Sequence, residues 1–124
     1  MTPFGARVRE LRAVKGIQLK DMAQDLQVSS AYLSALEHGK RGRPGPGFVM
    51  QIANYFGLIW DEVDDLKRLA QLSHPRIAVD TGGLNPKATL LANLIAGHIH
   101  ELDDRTIDRI LIEMGFDEEA GQNA

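Results

Sequence analysis

The stretch Leu19–His38, LKDMAQDLQVSSAYLSALEH, decides how the chain folds. Leu19, Met22, Ala23 and Leu26 recur at the interval that lines one face of a helix. Leu33 and Leu36 form the buried side of a second helix, for which Ser29 or Ser30 is a good N-cap and Gly39 a stop. Only Gln27-Val28-Ser29 lie between them, so the two short helices must meet across a tight turn. Ala23 is small where they would cross, and Val28 plugs the turn.

Working outward, Phe4, Val8 and Leu11 predict a helix from Phe4 to Lys15, closed by Gly16. After that stretch the loop KRGRPGPG, residues 40–47, excludes regular helix, because two prolines and three glycines interrupt it. Phe48, Val49, Ile52, Ala53 and Phe56 mark a fourth helix ending at Gly57. A fifth begins near Trp60, carries Val63, Leu66 and Leu69, and ends before Pro75. Ile77-Ala78-Val79 suggests one short strand, and Asp80 to Asn85 a turn. Asn85-Pro86 then starts a helix whose apolar stripe is Leu91, Leu94, Ile95, Ile99 and Leu102. Asp103 or Asp104 caps a last helix bearing Ile107, Ile110, Leu111 and Met114. The short joint between these two implies an antiparallel helical hairpin.

The fold class expected is therefore all-α, with at most one short strand between its halves. Three regions are expected: residues 1–72, a packing or dimerisation region 73–116, and a disordered tail 117–124.

The composition, 44% apolar and 25% charged, is that of an ordinary globular protein. Without cysteine there is no disulfide framework, thiolate metal site or thiol nucleophile. No apolar run approaches the roughly 20 residues that span a bilayer, and the start lacks the apolar stretch of a secretory signal. A cytoplasmic protein without a membrane role is expected. The net charge of -3 hides a split. Residues 1–58 carry eight Lys or Arg against four acids, giving +4, and residues 59–124 carry six against thirteen, giving -7. A polyanion responds to the local field, so the N-terminal half is the candidate nucleic-acid face.

Two short helices joined by three residues form a helix-turn-helix. Ala23, Val28-Ser29, Leu33, Leu36-Glu37 and Gly39, within GIQLKDMAQDLQVSSAYLSALEHGKR and followed by FVMQIANYFGL, resemble the Cro/C1-type (XRE) family. The resemblance runs from about Phe4 to Leu66. It implies a five-helix, lambda-repressor-like domain whose third helix enters the major groove of double-stranded DNA. It further implies that Ser30, Ala31 and Ala35 face base edges, with Ser34 nearby, and that Tyr32 and His38 contact phosphates. Lys40, Arg41 and Arg43 would track the backbone or the adjacent minor groove. Arg12 and Glu37 would pair to tie the first helix to the recognition helix.

Three positions depart from that pattern. Gln18 stands where Ser or Thr usually caps the second helix, and Leu19 where a phosphate-binding Gln is common. Gln27 replaces the turn glycine and must adopt a left-handed conformation, at a cost of roughly 1 kcal/mol. Ser and Ala read bases weakly, so backbone contacts and DNA shape should supplement direct readout. Tyr32 serves equally well as a packing residue, and Arg7, Arg9 and Lys15 read as a solvated helix face.

Other motifs carry less. Asp80-Thr81-Gly82 mimics the aspartic-protease triplet, but helices flank it and the default is a glycine-rich turn. His98 and His100 are two residues apart on a helix and cannot chelate one ion, so no metal, cofactor or catalytic residue is expected. The C-terminal helices offer more apolar surface than a hairpin can bury alone. Regulators of this kind bind DNA as twofold dimers, and Trp60, Leu66, Leu69, Leu94, Ile99, Ile110 and Met114 are the candidate dimer contacts. The expected function is a homodimeric transcriptional regulator, a repressor by preference, on a near-palindromic operator. The alternative is an antitoxin-like module that binds a protein partner through its acidic half.

Overall fold

A computed structural model describes residues 1–40, 42–117 and 122–123. The chain divides into two compact units, Met1–Ile77 and Ala78–Ala124, each described by itself.

The first unit holds five helices: α1 (Pro3–Lys15), α2 (Leu19–Asp25), α3 (Ser30–Glu37), α4 (Pro46–Tyr55) and α5 (Asp61–Gln71). Local chemistry explains most of their ends. Thr2 Oγ1 caps α1 by accepting the Gly5 N–H, Pro3 fills the first helical position, and Gly16 stops the helix at φ 67°. Ser29 Oγ caps α3 by accepting the Tyr32 N–H at 3.0 Å. Gln18 supplies no side-chain cap to α2. Gln27 takes the left-handed conformation the turn demands, at φ 61°, and the Val28 N–H bonds back to the Ala23 carbonyl.

Five helices close on one core: Phe4 and Val8 of α1, Met22 and Ala23 of α2, Leu33 and Leu36 of α3, Val49, Ile52 and Ala53 of α4, and Leu66 and Ala70 of α5. Leu66 corrects one expectation. Offered above as a dimer contact, it is 1% exposed and belongs to this core. An apolar stripe on a helix requires a covering surface, and here the surface is the chain's own.

Two polar staples reach across the unit. The Thr2 N–H and Oγ1 both donate to the Glu37 carbonyl, at 3.0 and 3.2 Å. The Phe4 N–H donates to Ser73 Oγ at 2.9 Å, and Ser73 Oγ donates in turn to the Leu69 carbonyl. The start of α1 is thereby fixed to the end of α3 and to the end of α5.

The second unit contains α6 (Pro86–His98), a 3₁₀ turn Ile99–Glu101, and α7 (Asp104–Glu113). Asn85 caps α6 and Asp103 caps α7, each through its own side chain. The strand expected at Ile77–Val79 is absent: the segment is irregular, and among the described residues it pairs with no other strand. Pairing occurs instead between Phe116–Asp117 and Gln122–Asn123, two residues on each side. Residues 118–121 and 124 of the tail lie outside the described residues. The helices α6 and α7 follow one another across a short joint, but the antiparallel packing expected of them is not seen: they make little contact, and neither has a buried residue. Asp80-Thr81-Gly82 is a polar turn, with Asp80 Oδ1 accepting the Gly82 N–H and the Thr81 and Thr89 hydroxyls 2.7 Å apart.

Candidate nucleic-acid interface

The candidate surface is the outer side of α3 with the residues that follow it. Ser30 and Ala31 at its N-terminal end are exposed, and Ser34 and Ala35 one turn on are half-buried. The end of a helix whose first side chains are short lets a ligand come close to the helix axis. Tyr32 is half-buried and meets the Phe48 ring edge-on, with centroids 6.0 Å apart, which gives its ring a packing role. His38 is exposed beyond the helix, its Nδ1 2.8 Å from the Ser34 carbonyl. In the tautomer that donates this bond, Nε2 is left for an outside partner.

Basic side chains follow. Lys40 and Arg43 are both exposed. Arg43 Nη1 leans toward the Gln71 carbonyl at the end of α5, at 3.4 Å, so the loop cation is steered rather than loose. Arg41, expected in the same role, lies outside the described residues. Arg7 is paired with Glu10 at 3.0 Å on α1, in keeping with a solvated helix face.

Behind the surface, α3 is held by Glu37. Its side chain is 2% exposed, and both carboxylate oxygens accept from Arg12 Nη2 at 2.9 Å. Arg9 Nε stands 3.8 Å away as a second cation, a contact that spacing alone did not reveal. Burial pushes the Glu37 carboxyl up from its ordinary range, and the two guanidiniums oppose that shift. The Glu37 main-chain carbonyl receives the Thr2 bonds, so one residue anchors α3 at two points.

Gly5 allows this closeness. A Cβ there would sit 2.1 Å from the Glu37 carbonyl oxygen. A glycine inside a helical pattern is the sequence signal that could have revealed it. On the other side Tyr55 of α4 donates to Asp25 of α2 at 2.7 Å, which pushes the phenol up to about 12.

Of the other expected contact residues, Trp60 is 83% exposed and takes φ 51°, while Leu69 is half-buried. In the second unit Leu94, Ile99 and Met114 are exposed and Ile110 half-buried. Among the described residues no helix is long and apolar enough to cross a membrane, and no group of acidic or histidine side chains gathers to hold a metal ion.

Two short helices at a tight turn, the second anchored from behind and bare in front, define a helix-turn-helix protein. A family model described as a helix-turn-helix domain matches residues 3–69, and the chain belongs to that helix-turn-helix family. It is 40% identical over 53 residues to an uncharacterized HTH-type transcriptional regulator, RghRB, of Bacillus subtilis (strain 168), covering 43% of this chain and 38% of that protein. It is 42% identical over 52 residues to the HTH-type transcriptional regulator DdrOP3 of Deinococcus deserti, covering 42% of this chain and 40% of that protein. The match thus spans about two fifths of each relative's length. No solved structure matches the chain significantly.

Proposed function

We propose that the chain is a sequence-specific transcriptional regulator of double-stranded DNA, a cytoplasmic homodimer that represses from a near-palindromic operator. The observation that carries this reading is the state of α3. Its inner side is tied down through Glu37 by Arg12 and Thr2, while Ser30 and Ala31 are exposed at its start and Lys40 and Arg43 are exposed beyond its end. In the proposed complex the start of α3 enters the major groove, and Ser30, Ala31, Ser34 and Ala35 meet base edges. Ser gives one adaptable hydrogen bond and Ala suits a thymine methyl. His38, Lys40, Arg41 and Arg43 meet phosphates or the adjacent minor groove, and Tyr32 lies at one phosphate. Twofold pairing would present two such helices to successive major grooves, about 34 Å apart.

Selection of bound DNA from a random pool, followed by gel shifts of the selected site, tests the reading. A near-palindromic consensus is expected, with affinity falling steeply as salt rises. Replacing Lys40 and Arg43 by alanine should weaken all sequences alike and lower the logarithmic salt slope by about 2. Replacing Ser30 or Ala31 should instead change which sequence is preferred. No retardation of any sequence at low salt would sink the proposal.

A second reading, a module that binds a basic protein through its acidic half, is favoured by the -7 charge of residues 59–124. A small basic protein that co-purifies in fixed ratio, and is released by salt, would support it.

A further inference from the structure

The helix α6, PKATLLANLIAGH, carries a single formal charge, Lys87, in thirteen residues, yet none of its residues is buried. Leu90 and Leu91 are each 59% exposed and Leu94 48%. At about 100° per residue these three share one side of the helix. Lys87 falls on the same side at its beginning and His98 at its end. His98 Nδ1 meets Glu101 Oε2 at 2.9 Å, so the far end of this face is acidic.

We propose that this face is a self-pairing surface, on which two copies of the chain lay α6 against α6 antiparallel about a twofold axis between Ala92 and Asn93. The assignment rests on the homodimer reading above and specifies its contact. Three features of the helix select a second copy as the occupant.

Register comes first. An antiparallel pair centred between Ala92 and Asn93 sets Leu91 opposite Leu94 of the second copy, and Lys87 opposite His98 and its Glu101. Every pairing occurs twice, as an isologous contact requires. Charge comes second. Lys87 sits in the first turn of α6, where no acid accompanies it and where the helix dipole disfavours a cation. The antiparallel copy brings the negative end of its own α6, with Glu101, to that position. The third feature is the lack of acids within α6 itself, along the leucines between Lys87 and His98. A basic partner would be drawn to Asp103, Asp104 and Asp108, leaving the leucines uncovered, whereas an uncharged strip lets two acidic units meet without repulsion.

The test is the mass of the full chain by analytical ultracentrifugation, with gel shifts in parallel. A dimer is expected at micromolar concentration. Leu94→Glu would bury an unpaired charge at the contact and should weaken the dimer by about a hundredfold or more. Since Leu94 is exposed, its far-UV circular dichroism should stay that of the parent. Lys87→Glu and Glu101→Lys should each weaken the dimer by roughly five- to thirtyfold, and the double reversal should recover most of the loss. A monomeric parent chain, an unchanged dimer in Leu94→Glu, or a double reversal weaker than either single one overturns the inference. A monomer that still retards DNA overturns this contact alone, and a dimer that retards none overturns the regulator reading alone.

Discussion

Gly5→Ala is the most incisive perturbation of this fold, because propensity and packing predict opposite signs. Gly5 lies in the first turns of α1, where alanine is the better helix former by about 1 kcal/mol. By propensity the variant should be more stable. Its Cβ, however, would stand 2.1 Å from the Glu37 carbonyl oxygen and 2.8 Å from the carbonyl carbon and Cα, distances that real Cβ atoms essentially never show. These are backbone atoms at the end of α3 and cannot swing aside. Relief requires the end of α3 to retreat by about 1 Å, which lengthens both Thr2 bonds to the same carbonyl. Overpacking of about 1–3 kcal/mol and two weakened hydrogen bonds of about 1 kcal/mol each outweigh the propensity gain. The net loss is about 2–4 kcal/mol, which in a domain of this size lowers Tm by about 10–25 °C. Differential scanning calorimetry measures it, with Gly47→Ala as control. Gly47 is also helical, in α4, and an added Cβ there meets nothing within 4 Å, so that variant should match the parent or gain up to about 1 kcal/mol. Equal melting temperatures for Gly5→Ala and Gly47→Ala would refute the reasoning.

Arg12→Ala leaves the Glu37 carboxylate buried with only the more distant Arg9. It should cost about 3 kcal/mol in urea titrations near neutral pH. The Glu37 pKa is already raised, so the folded chain holds that proton more tightly than the unfolded one. Loss of Arg12 raises that pKa further, so the cost grows as pH rises from the parent's raised value to the variant's higher one, and the variant should be less impaired near pH 4.5 than near pH 7.5. Tyr55, pushed up to about 12 by its bond to Asp25, contributes stability that is complete below pH 10 and lost as pH approaches 12. Phenolate absorbance should follow one tyrosine ionising near pH 12, and Asp25→Asn should lower that midpoint. Gln27→Gly relieves a left-handed side chain at φ 61° and should stabilise the fold by up to about 1 kcal/mol. A destabilised variant would mean that Gln27 makes a compensating contact.

The first unit was largely legible because its signals are local. Apolar spacing marked the helices, Ser29 marked the start of α3, and the three-residue turn forced the left-handed Gln27. What was not legible depends on which surface covers which. Leu66 lies on an apolar stripe like that of α6, and nothing in the spacing says that one is sealed by its own chain while the other is bare. Ile77–Val79 has the composition of a strand, but a strand is a property of two segments, and among the described residues none pairs with it. The clamp between Thr2, Gly5 and Glu37 joins residues more than thirty positions apart through a main-chain carbonyl, which no side-chain pattern encodes. The charge split pointed to the N-terminal half, but the individual positions 30, 31, 34 and 35 were legible only through family likeness, since serine and alanine carry no chemical signature of their own.

The double anchoring of Glu37 also bears on how such a protein can change over evolutionary time. The restraint on α3 enters through the Ser29 cap, the Tyr32 ring on Phe48, Leu33, Leu36, the Glu37 carboxylate and the Glu37 carbonyl. Ser30 and Ala31 hold up nothing. Substitutions there should leave the melting temperature almost untouched, so drift at these two positions is invisible to selection for folding. If α3 reads DNA as proposed, a lineage built on this scaffold can explore new target sequences at little thermodynamic risk, and paralogues should diverge first at 30 and 31 and last at 5, 12 and 37.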